Sequence, residues 1–351
     1  MRRVFITIHL KNIILLITAF IAFIVITSVL IVGVGDNKII SEGENSIIKS
    51  EENDDIIKYS SLPKITKIKV FMSKEKIIKE LDLEDYVAGV VAAEMPAAFD
   101  IEALKAQAVA SRTYALAHVT ELGGTPGKNA NGADLCDTVH CQVYMTKEER
   151  IKSWPLWPKD AGEKYWEKIK IAVESTKGQV LTYDNSLVME PYYFATSSGN
   201  TENSEDVFST SVPYLRSVES PGEERAPSSK STKTFKYKEI SDIINSNYKN
   251  ANVTLTNVNK QITVVDRTQA GSVKNIKVGS ITMVGSKFRS MLGLKSSNFT
   301  IKFNLSDIEI DCSGYGHGVG MSQWGADAMA KEGKNYIEIL NHYYIGTGLS
   351  K

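Results

Sequence analysis

An uncharged apolar run near the N-terminus constrains the fold of this chain more than any other feature. Residues 13–34 contain no charged side chain, and a helix of about 20 apolar residues crosses the hydrocarbon core of a bilayer. Arginine and lysine residues precede the run, and such basic flanks stay in the cytoplasm. A cleaved signal peptide has a shorter apolar core and a small-residue cleavage site, which is absent after Val34. The sequence therefore predicts one uncleaved transmembrane helix at residues 13–34, with residues 1–12 in the cytoplasm.

The segment after this run, residues 35–62, is dominated by Glu, Asp, Asn, Ser and Lys. Such a composition is typical of a solvated, flexible spacer rather than a packed element. Residues 63–351 remain, which is enough chain for one large domain. We expect this domain to lie on the outer side of the membrane, since the N-terminus is predicted to be cytoplasmic.

Charge and cysteine content exclude several classes of protein. Lysine plus arginine and aspartate plus glutamate both number 41, so no net field attracts nucleic acid or another polyanion. The chain has three cysteines, Cys136, Cys141 and Cys312. This number is small and odd, so the cysteines do not form a disulfide framework. We therefore expect no nucleic-acid partner.

Helical and alternating patterns both occur in residues 63–351, which predicts an α+β fold. Asp82 can cap a helix that Pro96 ends near Glu94, and Asp100 can cap a second helix, rich in alanine, that extends to about Val119. Further predicted elements are strands at residues 64–72, 179–183 and 187–195, helices at residues 163–176, 322–332 and 336–344, and a hairpin turn at Asp184-Asn185.

Glu94 is the first candidate for chemistry. It stands at the predicted C-terminal end of a helix, among apolar residues. The negative end of the helix dipole and partial burial both raise the pKa of a carboxyl group. A carboxyl group that stays protonated near neutral pH can act as a general acid. The alternative is an ordinary solvated glutamate at a helix end.

Lys105 and Arg112 lie seven residues apart on the second predicted helix. Two helical turns place them on one face, roughly 10 Å apart along the axis. Two cations so placed can bind anions or sugar carbonyl groups. The alternative is a solvated basic stripe with no ligand.

Three possible metal ligands, Cys136, His140 and Cys141, fall within one loop. Thiolate and imidazole groups are good zinc ligands. A local disulfide between the two cysteines and two free thiols are the alternatives, and the sequence leaves all three open.

Glycines alternate at positions 314, 316, 318 and 320, in the predicted loop 314–320. The spacing matches neither a dinucleotide-binding loop nor a phosphate-binding loop. Glycine allows close approach of the backbone, and His317, Gln323 and Trp324 would supply hydrogen-bonding groups and an aromatic face suited to a sugar. We expect His317 to share one cleft with Glu94.

Three ordered motifs together resemble the stage II sporulation protein D family, whose domain is shared with bacterial amidase enhancers. They lie at residues 92–96 (AAEMP), 104–114 (LKAQAVASRTY) and 314–326 (GYGHGVGMSQWGA). The resemblance extends from about Ile65 to Thr347.

The resemblance implies a single catalytic domain with a substrate cleft that acts as a lytic transglycosylase on peptidoglycan during engulfment in sporulation. Such an enzyme cleaves bonds between N-acetylmuramic acid (MurNAc) and N-acetylglucosamine (GlcNAc) in strands stripped of stem peptides, and it leaves 1,6-anhydro ends. The implied catalytic residue is Glu94. The implied substrate-binding residues are Lys105, Arg112, Tyr193, Ser197, Ser198, His317 and Gln323.

No cofactor is required for this chemistry, and the resemblance implies a structural Zn²⁺ at Cys136, His140 and Cys141. The implied partners are glycan strands, a cell-wall amidase and a membrane scaffold of the engulfment machinery. The implied location is the cell membrane, with the domain in the intermembrane space of the sporangium.

Three other functions remain open from the sequence. The first is a non-catalytic, glycan-binding activator of a cell-wall amidase. The second is a zinc hydrolase that uses the Cys/His loop, and the third is a structural protein of the coat or septum.

Overall fold

The computed structural model describes residues 64–122, 124–154 and 160–351. The predicted cytoplasmic segment, transmembrane helix and spacer lie outside the described residues. No helix in the described part of the chain is long and apolar enough to cross a membrane.

The described residues form a mixed structure of helices and strands, as the sequence predicts. The helices are α1 (Leu83–Glu94), α2 (Ile101–Ala117), α3 (Lys147–Ser153), α4 (Ala161–Ser175), α5 (Ser204–Phe208), α6 (Tyr237–Asn247), α7 (Val258–Gln261), α8 (Gly285–Leu292), α9 (Gln323–Lys331) and α10 (Tyr336–Tyr343). The strands are β1 (Lys67–Met72), β2 (Ile77–Asp82), β3 (Leu135–Cys136), β4 (Val180–Tyr183), β5 (Ser186–Leu187), β6 (Tyr193–Phe194), β7 (Lys230–Lys236), β8 (Ile262–Arg267), β9 (Val273–Val278), β10 (Ile281–Val284), β11 (Phe299–Phe303), β12 (Asp307–Ser313), β13 (Met321–Ser322) and β14 (Gly348–Ser350).

The first hydrophobic core surrounds α2. This helix packs against α1, α4, α9 and α10, because its many alanines let neighbouring helices approach closely. Asp100 caps it through the Glu102 N–H, and Asp82 caps α1 through Glu84 and Asp85, so both predicted caps are confirmed. Burial of the alanine-rich face places the C-terminal end of α1 beside the start of α9.

A second, separate core lies within residues 230–313. It contains one sheet in the order β11–β12–β7 and another in the order β10–β9–β8, with α6 and α8. Both ends of this segment meet, since Lys230 pairs with Ser313 and the Gly314 N–H donates to the Ser229 carbonyl oxygen at 2.7 Å. We call residues 230–313 the inserted lobe.

The hairpin turn is confirmed, but one predicted strand is wrong in extent. Asp184 and Asn185 both have positive φ, at 49° and 60°, and join β4 to β5 as a two-residue turn. The predicted strand 187–195 breaks after β5, and its end, β6, pairs in parallel with β13 in another sheet. This parallel pair connects residues distant in the sequence and places Tyr193 near Gln323.

Candidate functional site

Glu94 lies at the last residue of α1, where the chain leaves the helix. Met95 is extended, with φ −119° and ψ 138°, as expected for a residue before proline. The Val143 N–H donates to Glu94 Oε1 at 2.8 Å, and Gln323 also hydrogen-bonds the carboxyl group. Burial raises the pKa of Glu94, and the hydrogen bonds from Val143 and Gln323 oppose that shift only in part. The net result is a carboxyl group with a raised pKa.

A cavity of about 330 Å³ opens at this carboxyl group. Pro96 and Ala98 are exposed at its rim, so the cavity is accessible from the surface. Its volume falls in the range of small-molecule sites. The residues that line it are Ala93, Glu94, Met95, Pro96, Ala97, Ala98, Arg150, Trp154 and Tyr165.

Behind Glu94, a polar network fixes the loop that carries Val143. The neighbouring Gln142 is buried, and its amide donates to Tyr86 Oη at 3.2 Å and to the Ser111 carbonyl oxygen at 3.3 Å. Tyr193 Oη donates to Gln142 Oε1 at 2.8 Å. Because both the nitrogen and the oxygen of the Gln142 amide are hydrogen-bonded, the loop keeps the Val143 N–H in position to donate to Glu94.

Tyr193 and Gln323, which the sequence predicts as substrate-binding residues, lie near Glu94 in the structure. Burial raises the pKa of Tyr193 well above its usual value, and the Glu94 charge adds to that shift, so the phenol stays protonated. Gln323 is the first residue of α9, and its amide also lies 3.4 Å from Gln107 Oε1. Glu94, Tyr193 and Gln323 therefore lie close together. Neither Tyr193 nor Gln323 is among the residues that line the cavity, so their role in substrate binding stays a prediction.

Lys105 and Arg112 do not line the cavity, which corrects the predicted site. Arg112 is completely buried, and its guanidinium contacts both oxygens of Glu84, with Nη2 to Oε2 at 2.5 Å. Lys105 pairs with Glu102 at 2.6 Å and lies over the Tyr336 ring. Burial in an ion pair is incompatible with the predicted contact between Arg112 and a glycan strand.

The physical reason is the orientation of α2. Successive helical residues turn by about 100°, so Gln107 lies about 200° around the helix from Lys105. Gln107 and Ser111 face the site and hydrogen-bond each other at 3.0 Å. The spacing places Lys105 and Arg112 on one face of α2, as predicted. The site is met by the other face, which carries Gln107 and Ser111.

His317 lies away from the Glu94 cavity, contrary to the expectation of one shared cleft. Its ring is 5.6 Å from the Phe194 ring and 5.9 Å from the Tyr192 ring. Consecutive strand residues point to opposite faces, so His317 lies across β6 from the Tyr193 side chain. Burial, with a smaller contribution from Arg289, lowers the pKa of His317 to about 4, so the ring is neutral.

Ser197 and Ser198 also lie outside the Glu94 cavity. Ser197 is buried, and its Oγ accepts from the Gly199 N–H at 3.0 Å. Ser198 Oγ accepts from Asn298 Nδ2 at 2.8 Å, so this turn contacts the inserted lobe. Ser198 therefore helps to join the inserted lobe to the first core, and the substrate-binding role of the two serines stays a prediction.

Two of the three predicted zinc ligands meet, and the third does not join them. Cys136 Sγ and Cys141 Sγ are 3.2 Å apart, and both cysteines are free. His140 is exposed, and no group of three or more His, Cys, Asp or Glu side chains in the described ranges is arranged to hold a metal ion. The three-residue set therefore does not fit a zinc site in this arrangement.

The structure adds side chains that the sequence did not single out. Arg150, Trp154 and Tyr165 line the cavity, while Gln107 and Gln142 support it. The capping box at Thr146 predicts α3 and so the position of Arg150 on a helix. Gln107 lies inside the motif at residues 104–114, but nothing in its spacing marked it out.

This arrangement can carry out proton transfer on one side of a bound molecule. Among the described residues that line the cavity, Glu94 is the one carboxyl group. Its raised pKa favours the protonated form that a general acid requires. Arg150, Trp154 and Tyr165 form the rest of the polar and aromatic lining beside this carboxyl group.

Comparisons with known proteins identify the family to which this chain is similar. The model of the family described as stage II sporulation protein matches residues 72–183, a range that includes Glu94 and Arg150. Stage II sporulation protein D of Bacillus subtilis (strain 168) is 38% identical over 284 residues, which cover 81% of this chain and 79% of that protein. Stage II sporulation protein D of Bacillus amyloliquefaciens is 36% identical over 287 residues, covering 81% and 78%.

A third relative carries a different name. The amidase enhancer of Bacillus subtilis (strain 168) is 31% identical over 309 residues, which cover 75% of this chain and 40% of that protein. The extent of the matches to the two sporulation proteins decides the family. This chain belongs to the stage II sporulation protein D family.

Proposed function

We propose that this protein is a lytic transglycosylase that cleaves MurNAc–GlcNAc bonds in denuded peptidoglycan strands. The observation that carries the proposal is Glu94, a carboxyl group with a raised pKa at the edge of an open cavity. A transglycosylase needs one group that first gives and then takes a proton. The described lining of the cavity offers one such group, without the paired carboxylates of most glycoside hydrolases.

The proposed reaction consumes no water. Glu94 donates its proton to the glycosidic oxygen as the C1–O bond breaks, through an oxocarbenium-like transition state. The C6 hydroxyl of the same MurNAc then attacks C1, and Glu94 accepts the proton of that hydroxyl. The products are a 1,6-anhydro MurNAc end and a GlcNAc end with a free hydroxyl.

Neighbouring groups support both protonation states of Glu94. Burial favours the neutral acid before cleavage, and the Val143 N–H and the Gln323 amide stabilise the carboxylate that forms afterwards. The pocket thus favours a group that alternates between acid and base.

The proposal includes a location at the outer face of the cell membrane during engulfment. It is supported by the apolar run at residues 13–34 and by the sporulation family of the chain. Release from membranes by detergent, but not by high salt, is the expected behaviour. Release by salt alone would contradict the membrane anchor.

Product analysis on purified denuded strands tests the activity. Glu94→Gln should lower the rate of anhydro-end formation at least about 100-fold, because general acid catalysis contributes 10²–10⁴-fold. The matched control is Glu167→Gln, a change at an exposed glutamate of α4, which should keep the wild-type rate. Equal product from Glu94→Gln and the wild type would refute the proposal.

The second candidate function is a glycan-binding activator of a cell-wall amidase. The match to a protein named amidase enhancer favours it. If the protein is an activator, the Glu94→Gln variant should accelerate a purified amidase as much as the wild type does. The wild type alone should produce no anhydro ends.

A further inference from the structure

Arg150 is the cationic side chain in the described lining of the Glu94 cavity. It projects from α3, and the established family assignment gives it no role. Its position on the same cavity as the proposed acid raises the question of which anion it would meet.

The guanidinium is held in place by uncharged partners. Arg150 Nε donates to the Ala92 carbonyl oxygen at 2.6 Å, and Nη1 donates to Ser153 Oγ at 3.0 Å. Its centre lies 4.7 Å from the Trp154 ring. No carboxylate in the described ranges pairs with the Arg150 guanidinium within 4.0 Å, whereas the neighbouring Lys147 pairs with Glu163 at 3.0 Å.

The fixed orientation matters for recognition. An arginine remains a cation at any physiological pH, and its planar group suits bidentate binding of a carboxylate. With Nε fixed on the end of α1, Nη2 is the donor free of the hydrogen bonds described above. A positive charge without a counter-ion in a cavity is therefore a preformed anion site.

Aromatic rings complete the recognition surface. Trp154 and Tyr165 both line the cavity and contact each other edge to face, with ring centroids 5.6 Å apart. Trp154 is buried and supports the Arg150 guanidinium, while Tyr165 is only half-buried and can offer its ring to the apolar face of a sugar. A cation beside an accessible aromatic ring therefore points to a sugar that carries an acid group.

We propose that Arg150 recognises the free lactyl carboxylate of MurNAc and so selects strands without stem peptides. The inference rests on the proposed function, since it names the group of the substrate that the same cavity would bind. In a denuded strand, the lactyl group ends in a carboxylate. In an intact strand, the stem peptide converts it to an uncharged amide, which loses the charge-assisted bond and adds bulk.

Binding by an inert variant tests this selection without depending on cleavage. The probes are denuded MurNAc–GlcNAc oligomers with free lactyl carboxylates and the same oligomers with each carboxylate converted to a methyl amide. In the Glu94→Gln background, the free acid should bind about 10–100-fold more tightly, the range expected for a hydrogen bond to a charged group. Adding Arg150→Gln should reduce this ratio to near one.

Two control variants separate recognition from folding. Arg150→Lys keeps the charge without the planar group and should retain part of the selectivity. Lys152→Gln removes an exposed cation from the same helix, outside the cavity lining, and should retain all of it. The melting temperature of each variant shows whether loss of the Ala92 contact has disturbed the fold.

The outcomes are distinguishable. If a folded Arg150→Gln variant keeps the preference for the free acid, or if the Glu94→Gln protein shows no preference, the inference is overturned. If Arg150 sets the preference but the wild type makes no anhydro ends, the proposed catalysis fails while the inference on recognition is upheld.

Discussion

Glu94 experiences two opposing effects on one carboxyl group. Burial raises its pKa, while the hydrogen bonds from Val143 and Gln323 lower it, and burial is the larger effect. The functional form for the first step is the protonated acid, which disappears as the pH rises through the raised pKa. The environment of this one residue therefore sets the pH range of the activity.

We predict that kcat/KM on denuded strands falls as the pH rises above the pKa of Glu94. The slope should approach about tenfold per pH unit, as for loss of a single essential acid. A pH–rate profile of the wild type measures this slope. The Glu94→Gln variant is the control, and its low residual rate should not change with pH. A rate that increases with pH through the same range would identify Glu94 as a base in the first step.

Arg112 is expected to act through stability and not through substrate binding. Arg112→Met should lower the free energy of unfolding by about 3–5 kcal/mol, because it leaves the Glu84 carboxylate unpaired in a largely buried site. Lys105→Met should cost less than about 1 kcal/mol, since the Lys105–Glu102 pair is more exposed. Urea unfolding of both variants gives these values.

Binding measurements complete that comparison. Folded Arg112→Met protein at low temperature should bind denuded strands as the wild type does. Normal stability with lost glycan binding would instead restore the substrate-binding role that the sequence predicted.

At the scale of elements, the glycine-rich loop holds β13 against the chain beside β6. Gly320 has φ +80°, and a Cβ atom there would lie 2.0 Å from the Tyr192 carbonyl oxygen. That oxygen accepts the Met321 N–H at 3.0 Å. The close approach brings Tyr193 and Gln323 to Glu94, so the loop acts on the site through the backbone.

Gly320→Ala should therefore be more damaging than Gly333→Ala. Both glycines have positive φ, but a Cβ at Gly333 meets nothing within 4 Å. The shared backbone strain cancels in the comparison, and the clash at Gly320 should add about 1–3 kcal/mol. Thermal unfolding measures the difference, and equal losses would show that β13 has room to move.

The sequence predicted local features well and the meeting of distant ones poorly. Asp82, Asp100 and Pro96 fixed the helix bounds because caps and proline act on adjacent backbone. Which face of α2 meets the site depends on tertiary packing, so the sequence did not show that Lys105 pairs with Glu102 outside the cavity lining. The distance of His317 from Glu94 depends on the path of a glycine loop around β6, which no local pattern encodes.

At the scale of the whole molecule, the described chain contains two cores, and the proposed acid belongs to the first. Contacts such as Ser198–Asn298 join the inserted lobe to that core. The proposed anchor and spacer would confine the activity, since a flexible chain of about 28 residues has a mean reach of only about 30 Å. An enzyme so held would cut glycan next to its own membrane.

Digestion of denuded strands in water enriched in ¹⁸O tests the central claim most directly. A transglycosylase forms the new C1–O bond with the C6 hydroxyl of the substrate, so we predict 1,6-anhydro ends without ¹⁸O by mass spectrometry. The Glu94→Gln variant should form unlabelled anhydro ends at least about 100-fold more slowly than the wild type. Reducing ends that carry one ¹⁸O atom would show that water attacks C1, and would contradict the proposed reaction.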